Sequence, residues 1–156
     1  MTAAELRNHL RYSTWASRRL LDAVMGLPAE HQTRDLGSSH KGVLDTLAHI
    51  HFADRIWLTR IHGEQYQPPA DPIHVDWPRI QGGWEQWSDA LGDADVTRIV
   101  AYRDMKGNPY ETPVWQICLH VVNHATLHRG QVMAMLRQLG VPPPPTDLIF
   151  YYREQK

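Results

Sequence analysis

Two histidines lie one helical turn apart in the segment 123–131, which reads NHATLHRGQ. The apolar residues around His124 and His128 recur every three or four positions, so the pattern predicts a helix with both imidazoles on one side. His128 belongs to the apolar stripe of this helix, where a charged imidazolium would be costly and a neutral, metal-bound imidazole would not. The pair alone is compatible with a metal site and, about equally, with two hydrogen-bonded core histidines.

A third imidazole is available in the second predicted helix, which contains His49 and His51. This helix is apolar around most of its circumference, so periodicity does not decide which of the two faces the pair. His120, one turn before His124, is interpreted as a hydrogen-bonding neighbour rather than a ligand. The other histidines lie in polar or loop surroundings and are interpreted as solvated: His9, His31, His40, His62 and His74.

The residues around the pair exclude two kinds of metal chemistry. The spacing matches the zinc-protease helix HExxH, but Ala125 stands where that motif requires a glutamate base. No Glu-x-x-His sequence occurs, so the paired motif of di-iron bundles is missing as well. Three imidazoles without cysteine or carboxylate suit zinc, nickel, copper or ferrous iron, and they leave a coordination position for water or substrate.

The elements that must position these residues are predicted to be four helices and one hairpin. Apolar spacing and end signals predict helices at about 3–25 and 43–61, a less regular one from Asp76 that includes Leu91, and one that follows Pro113 and ends at Gly140. The β-branched and turn residues of 96–112 predict a small β-hairpin between helices three and four. We therefore expect an all-α protein with one domain over 1–156, built as a four-helix bundle, the architecture that places ligand sites on facing helices.

Composition narrows the range of partners. The 16 lysines and arginines nearly balance the 17 aspartates and glutamates, so no basic field favours nucleic acid or anionic lipid. No apolar run reaches the roughly 18 residues that cross a membrane, and the N-terminus does not resemble a signal peptide, which together predict a cytoplasmic protein. The single cysteine, Cys118, lies among apolar helical residues and is interpreted as a core residue. Composition therefore argues against nucleic acid and membranes as partners.

Several motifs in a fixed order resemble the DinB-like family. They are Tyr12-x-x-Trp15-Ala16 in the first helix, the segment 47–57, the block 123–131 and the segment PPTDLI at 144–149. The resemblance covers nearly the whole chain. It implies a bundle with up-down-down-up connectivity, frequent homodimers, and a divalent metal held by three histidines, which correspond here to His49, His124 and His128.

The resemblance is less specific about the reaction. Relatives of this fold include thiol-dependent S-transferases, an isomerase that uses a low-molecular-weight thiol, and proteins described as metal-dependent hydrolases. It therefore implies an enzyme of small molecules with zinc or nickel, or else iron or copper, and with a thiol as a candidate cofactor. The weak candidates for an acid, base or anchoring group are Tyr12, Asp54, His120 and Arg129. The competing hypothesis is a non-catalytic metal or small-ligand binding module. A homodimer would bury the apolar surplus of the second helix, although packing of the C-terminal tail would cover it equally well.

Overall fold

Four long helices form the framework of the protein. The computed structural model describes all 156 residues, and its elements are α1 (Ala3–Met25), α2 (Ala29–Thr33), α3 (Val43–His62), α4 (Ile73–Asp89), a 3-10 turn (Asp93–Asp95), β1 (Ile99–Arg103), β2 (Pro109–Pro113), α5 (Val114–Gln138) and α6 (Leu148–Glu154). The helical bundle with one small antiparallel hairpin confirms the predicted fold class. None of the helices is long and apolar enough to cross a membrane.

Local signals explain most helix boundaries. A capping box between Thr2 and Glu5 begins α1, and Gly63 in the left-handed conformation (φ 68°) ends α3. The main difference lies in α4, which begins at Ile73, three residues earlier than predicted, and ends before Leu91. Pro72 directly precedes this helix. Proline is tolerated at a helix start, because the first backbone N–H groups have no partner within the helix. The five-residue helix α2 has no buried residue and was not predicted.

Contacts between the long helices define their directions. Arg7 of α1 bonds the carbonyl of Ser88 near the end of α4, whereas Arg18 bonds Gln81 near its middle, so α1 and α4 are antiparallel. Contacts between α3 and α4 instead advance together along both helices, from His51–Asp76 to Asp54–Trp84, so these two are parallel.

The last long helix completes the bundle. Moving along α3 from His49 to Trp57, the contacting residue on α5 changes from His124 to His120, so α3 and α5 are antiparallel. The four helices therefore run up, down, down and up, as the resemblance implies. The site histidines lie where α3 and α5 face each other.

The connection between the parallel helices α3 and α4 runs back along the bundle. In this segment, residues 63–72, Tyr66 packs edge-on against Phe52 at 5.5 Å, and the carbonyl of Gln67 accepts a 2.7 Å bond from Nε of Arg55. Its prolines favour an extended chain, which lets ten residues span a distance close to a helix length. The segment therefore covers part of the outer surface of α3.

The C-terminal tail packs against α1, not against α3. Trp15 and Arg19 both bond the carboxylate of Glu154, and the ring of Tyr151 packs against Tyr12 and Trp15. The tail therefore does not cover the apolar surface of α3. A homodimer stays a prediction, which sedimentation of the purified protein would test.

Candidate metal centre

Three of the predicted ligands meet across the interface between α3 and α5. Nε2 of His49 lies 3.0 Å from Nε2 of His124, and the ring centroids of His49 and His128 are 4.6 Å apart. His124 and His128 are neighbours on α5, with ring centroids 4.5 Å apart. Nitrogen donors of a tetrahedral zinc ion lie about 3.3 Å apart, because each zinc–nitrogen bond is about 2.0–2.1 Å long. Small side-chain rotations would bring the rings to that spacing.

A fourth imidazole, His40, joins the cluster from the loop before α3. Its ring stacks on that of His49, with centroids 4.0 Å apart and an angle of 19° between the planes. One nitrogen from each of His40, His49 and His128 lies within 4.8 Å of the others, which is close enough for one ion to draw them together. The prediction that His40 is a solvated loop residue is therefore wrong. Helical periodicity carries no signal for a residue that reaches the site through loop closure.

Hydrogen bonds select the nitrogen that His128 can offer. Its Nδ1 lies 2.7 Å from Oε1 of Gln131, an oxygen that only accepts, so Nδ1 carries the proton and donates it. The lone pair is then on Nε2. This arrangement, in which a second group holds the ring and its tautomer, is typical of metal-binding histidines.

His124 has an unsatisfied nitrogen. Its Nδ1 is buried and has no hydrogen-bond partner, and its Nε2 faces only the Nε2 of His49. Leaving a buried polar group unpaired costs about 1–3 kcal/mol, so native proteins rarely do so without a reason. Nε2 of His124 lies 3.0 Å from Nε2 of His49, so a cation bound by these two nitrogens would take the place of the proton that they share. The residues present therefore fit a divalent metal ion.

Burial favours the uncharged forms of His49 and His124. Burial, reinforced by the neighbouring imidazoles, lowers the pKa of His124 from 6.5 to about 4. Burial also lowers the pKa of His49, with further contributions from His40 and His128. Neutral imidazoles keep their lone pairs available at pH 7, and borderline transition metals such as zinc and nickel favour such donors.

The choice between His49 and His51 follows from their positions on α3. His51 points towards α4, where its Nε2 lies 2.6 Å from Oδ2 of Asp76. Arg55 bonds the same carboxylate oxygen at 2.7 Å. His51 is thus occupied by a buried polar network, whereas His49 faces the two histidines of α5.

Tyr12 and Arg129 lie in the framework behind the cluster. The hydroxyl of Tyr12 donates to the carbonyl of Thr146. The guanidinium of Arg129 is buried and bonds the hydroxyls of Ser13, Ser17 and Thr126, which joins α5 to α1. Arg129 therefore fixes the segment of α5 that carries His128.

Asp54 is buried between α3 and α4. Its Oδ2 accepts a 2.7 Å bond from Nε1 of Trp77. Burial raises the pKa of Asp54 to about 7, although the Trp77 bond and the positive charge of Arg129 oppose the shift. No ion pair joins Asp54 and Arg129 within 4 Å. The carboxyl group belongs to the interior of the bundle.

His120 connects the cluster to an aromatic surface. Its ring centroid lies 5.7 Å from that of His124 and 5.3 Å from that of Trp57. Trp57 in turn packs against Tyr102 of the hairpin at 5.0 Å, and Arg60 stacks over both aromatic rings. An aromatic wall therefore extends from the histidine cluster towards the hairpin, and Trp57 is the tryptophan closest to the cluster in this chain of contacts.

Comparisons with known proteins agree with this architecture. Protein DinB of Bacillus subtilis (strain 168) is 24% identical over 155 residues, which cover 90% of this chain and 89% of that protein. The crystal structure of a DinB-like protein from Bacillus cereus ATCC 10987 shares the fold with a TM-score of 0.57 and 21% identity, and the match covers 88% of this chain and 94% of that one. The family model for the DinB family matches residues 1–156. This chain therefore belongs to the DinB family.

Proposed function

We propose that this protein is a metal-dependent enzyme that acts on small molecules through a mononuclear histidine site. The observation that carries the proposal is the convergence of His49, His124 and His128 from two facing helices, with Nε2 of His49 only 3.0 Å from Nε2 of His124. Three neutral imidazoles hold a divalent ion and leave a position for a further ligand, which is the pattern of catalytic rather than structural zinc sites.

Transfer to a thiol is the reaction that this donor set favours. Hydrolysis would need a general base for water in addition to the metal, and the imidazoles grouped at the site would be engaged as its ligands. A bound divalent ion supplies Lewis acidity that favours the deprotonated form of a thiol or of water. A thiolate needs no further base, since it is already the nucleophile.

The chain's own residues would then hold and orient the reactants. His49, His124 and His128 would hold the ion, and Gln131 fixes the ring of His128. The wall that contains Trp57 would contact the organic part of the substrate. The thiol proton leaves to solvent, and a carbon–sulfur bond forms at the electrophilic carbon. The bond from this carbon to the leaving group then breaks, and the leaving group departs with the electron pair. No oxidant or reductant is required.

Elemental analysis and a thiol screen test the proposal. Untagged protein should contain one divalent metal per chain, and the metal-loaded protein should accelerate chloride release from 1-chloro-2,4-dinitrobenzene in the presence of a thiol such as cysteine. His128→Ala should abolish both. Release of p-nitrophenol from p-nitrophenyl esters without chloride release would instead support hydrolysis.

The alternative function, a non-catalytic metal module, also has an observation in its favour. A fourth protein ligand closes a zinc site, and His40 supplies a fourth imidazole within reach of His49. In that case the ion would mainly fasten α3 and the preceding loop to α5. Normal metal content with neither thiol transfer nor hydrolysis would support this alternative.

A further inference from the structure

His40 differs from the other histidines of the cluster in how it is held. His49, His124 and His128 lie on long helices, and His128 is also fixed by Gln131. His40 is half-buried and lies on a loop, and none of the hydrogen bonds of the structure involves its ring. Its ring contacts are the stack on His49 and an edge-on contact with His128 at 5.4 Å. It is the least anchored imidazole of the four.

The backbone of this loop is nevertheless closely determined. Lys41, the next residue, is the only non-glycine residue with a positive φ, at 65°, and Gly37 has a φ of 76°. Lysine in the left-handed region is strained, and such strain concentrates at functional sites. Lys41 and Ser38 close the turn through a 2.8 Å bond from the amide of Lys41 to the carbonyl of Ser38. The turn therefore delivers His40 to one place.

The residue after the strained lysine is equally constrained. A Cβ atom on Gly42 would lie 2.3 Å from the carbonyl oxygen of Arg34, so only glycine fits there. The loop thus crosses itself at close range directly before α3 begins at Val43. This close crossing holds the His40 backbone near the first two turns of α3, while the ring itself makes no hydrogen bond that would hold it.

The stacked geometry indicates a ligand that can bind and leave. The planes of His40 and His49 differ by only 19°, so the lone pairs of the two stacked rings lie in separate, nearly parallel planes and do not converge on one point. His40 must tilt to share an ion with His49. A side chain on a loop can tilt without moving a helix, whereas His49 and His128 cannot change direction as freely.

We propose that His40 is a displaceable fourth metal ligand, which occupies the open coordination position until an exogenous thiol takes its place. The proposal rests on the proposed function, because it requires an ion held by His49, His124 and His128. It reconciles the two functions considered above: the site is closed by four imidazoles at rest and becomes open when a thiol binds.

Cobalt(II) substitution tests the exchange directly, because its visible spectrum reports the coordination number and its charge-transfer band reports a bound thiolate. The experiment compares the full-length chain with His40→Ala and with a matched control, His31→Ala, whose half-buried histidine lies on α2 outside the cluster. Each protein is titrated first with cobalt and then with 2-mercaptoethanol. The metal-free proteins are compared by thermal unfolding, so that misfolding is recognised.

We expect His40→Ala to bind one cobalt per chain about tenfold more weakly than the wild type, a loss at the lower end of that seen for groups supporting metal sites. Its visible spectrum should change, and 2-mercaptoethanol should bind about tenfold more tightly, because no protein ligand has to be displaced. His31→Ala should match the wild type in all three measurements. Lys41→Gly, which relaxes the strained turn but keeps His40, should fall between the two.

Each other outcome overturns a defined statement. Cobalt and thiol affinities that are equal in wild type and His40→Ala would refute the role of His40 and leave the proposed function intact. Thiol binding to His40→Ala alone would show that His40 is a permanent ligand and would refute displacement. A changed spectrum without thiol binding in either protein would refute displacement and thiol transfer together. Absence of cobalt binding in the wild type would overturn both proposals. If His40→Ala misfolds, the comparison of Lys41→Gly with the wild type decides the same question.

Discussion

Each of two faces of α3 carries a histidine, but the two histidines have different hydrogen-bond partners. On the face towards α4, His51 and Arg55 share the carboxylate of Asp76, so each polar group has a partner. On the face towards α5, His49 meets only other imidazoles, and the Nδ1 of His124 has no partner at all. A completed polar network is typical of structural residues, whereas imidazoles that meet only one another are typical of residues that can share an ion. Two histidines in the same helix thus serve different ends because their partners differ.

Removing histidines from each face tests most directly whether only the face towards α5 binds metal. His49→Ala, His124→Ala and His128→Ala should each abolish stoichiometric metal, because the two helical imidazoles that remain and the weakly anchored His40 are too few to hold the ion at micromolar concentrations. His51→Ala and His120→Ala should retain it. Elemental analysis of untagged, folded protein measures the difference. Equal loss in His120→Ala would refute the ligand assignment.

Acidification should release the metal from the α5 face, as the histidine substitutions do. Protons compete with the metal for imidazole lone pairs, so metal content should be constant at neutral pH and should be lost as pH falls towards about 4. The pKa of His124 in the metal-free protein, about 4, places the lower end of this range well below that of an ordinary histidine. Dialysis followed by elemental analysis at each pH would show the release. Full retention at pH 4 would contradict a histidine site.

The α4 face should respond to substitution in stability and not in metal content. Asp76→Ala leaves His51 and Arg55 without their shared acceptor, and breaking a buried ion pair costs about 3 kcal/mol of the free energy of unfolding. Burial alone would raise the pKa of Asp76, but the bonds from His51 and Arg55 outweigh it and lower that pKa. Denaturant unfolding of the metal-free protein measures the loss. A variant that unfolds normally but loses metal would erase the distinction between the two faces.

A smaller effect is expected from the residue that orients His128. Gln131→Ala removes the acceptor for Nδ1, and supporting residues of this kind contribute about 10–100-fold to metal affinity. Gln131→Glu provides the matched control, since a carboxylate accepts the same hydrogen bond. Competition with a chromophoric chelator should show weaker binding in the alanine variant only.

The smallest expected effect concerns Asp54. Burial raises its pKa to about 7 in the folded protein, whereas the unfolded chain ionises near 3.8. The folded state therefore binds more protons between about pH 4 and pH 7, so Asp54 lowers the free energy of unfolding as pH rises through this window. Asp54→Asn keeps an oxygen for the Trp77 bond and removes this dependence. We expect the free energy of unfolding of this variant to exceed that of the wild type at pH 8 and to equal it near pH 4. Denaturant unfolding at both pH values measures the difference between this variant and the wild type. The same difference at pH 4 and pH 8 would contradict the raised pKa of Asp54.

Much of the fold could be predicted because its signals are local. The capping box at Thr2, the glycine at position 63 and the 3.6-residue periodicity of α5 depend on neighbouring residues alone, and the structure agrees with each. The predicted start of α4 lies three residues late, because the proline cluster before it indicates irregular structure and not a helix. Pro72 in fact stands at the N-cap, where proline is tolerated.

Part of the candidate site could be predicted from the sequence, because its signal is also local. Helical spacing alone places His124 and His128 on one side of α5, since residues four apart lie one turn apart. His40 could not be found in this way, because its approach depends on a turn closed by Ser38, Lys41 and Gly42. The glycines at positions 37 and 42 mark a tight loop, but they do not indicate which ring it brings to α3.

Neighbouring residues are enough to predict the helices and the two imidazoles on one side of α5, because each of these features depends on residues within a turn or two. They also show that Ala125 stands where a protease would need its base. Only the tertiary structure decided that His49 faces the pair while His51 meets Asp76, a residue 25 positions away. That choice depends on the rotation of α3 about its axis, which is fixed by packing against α4 and α5 together. Helical periodicity cannot specify this rotation when a helix is apolar on nearly every side.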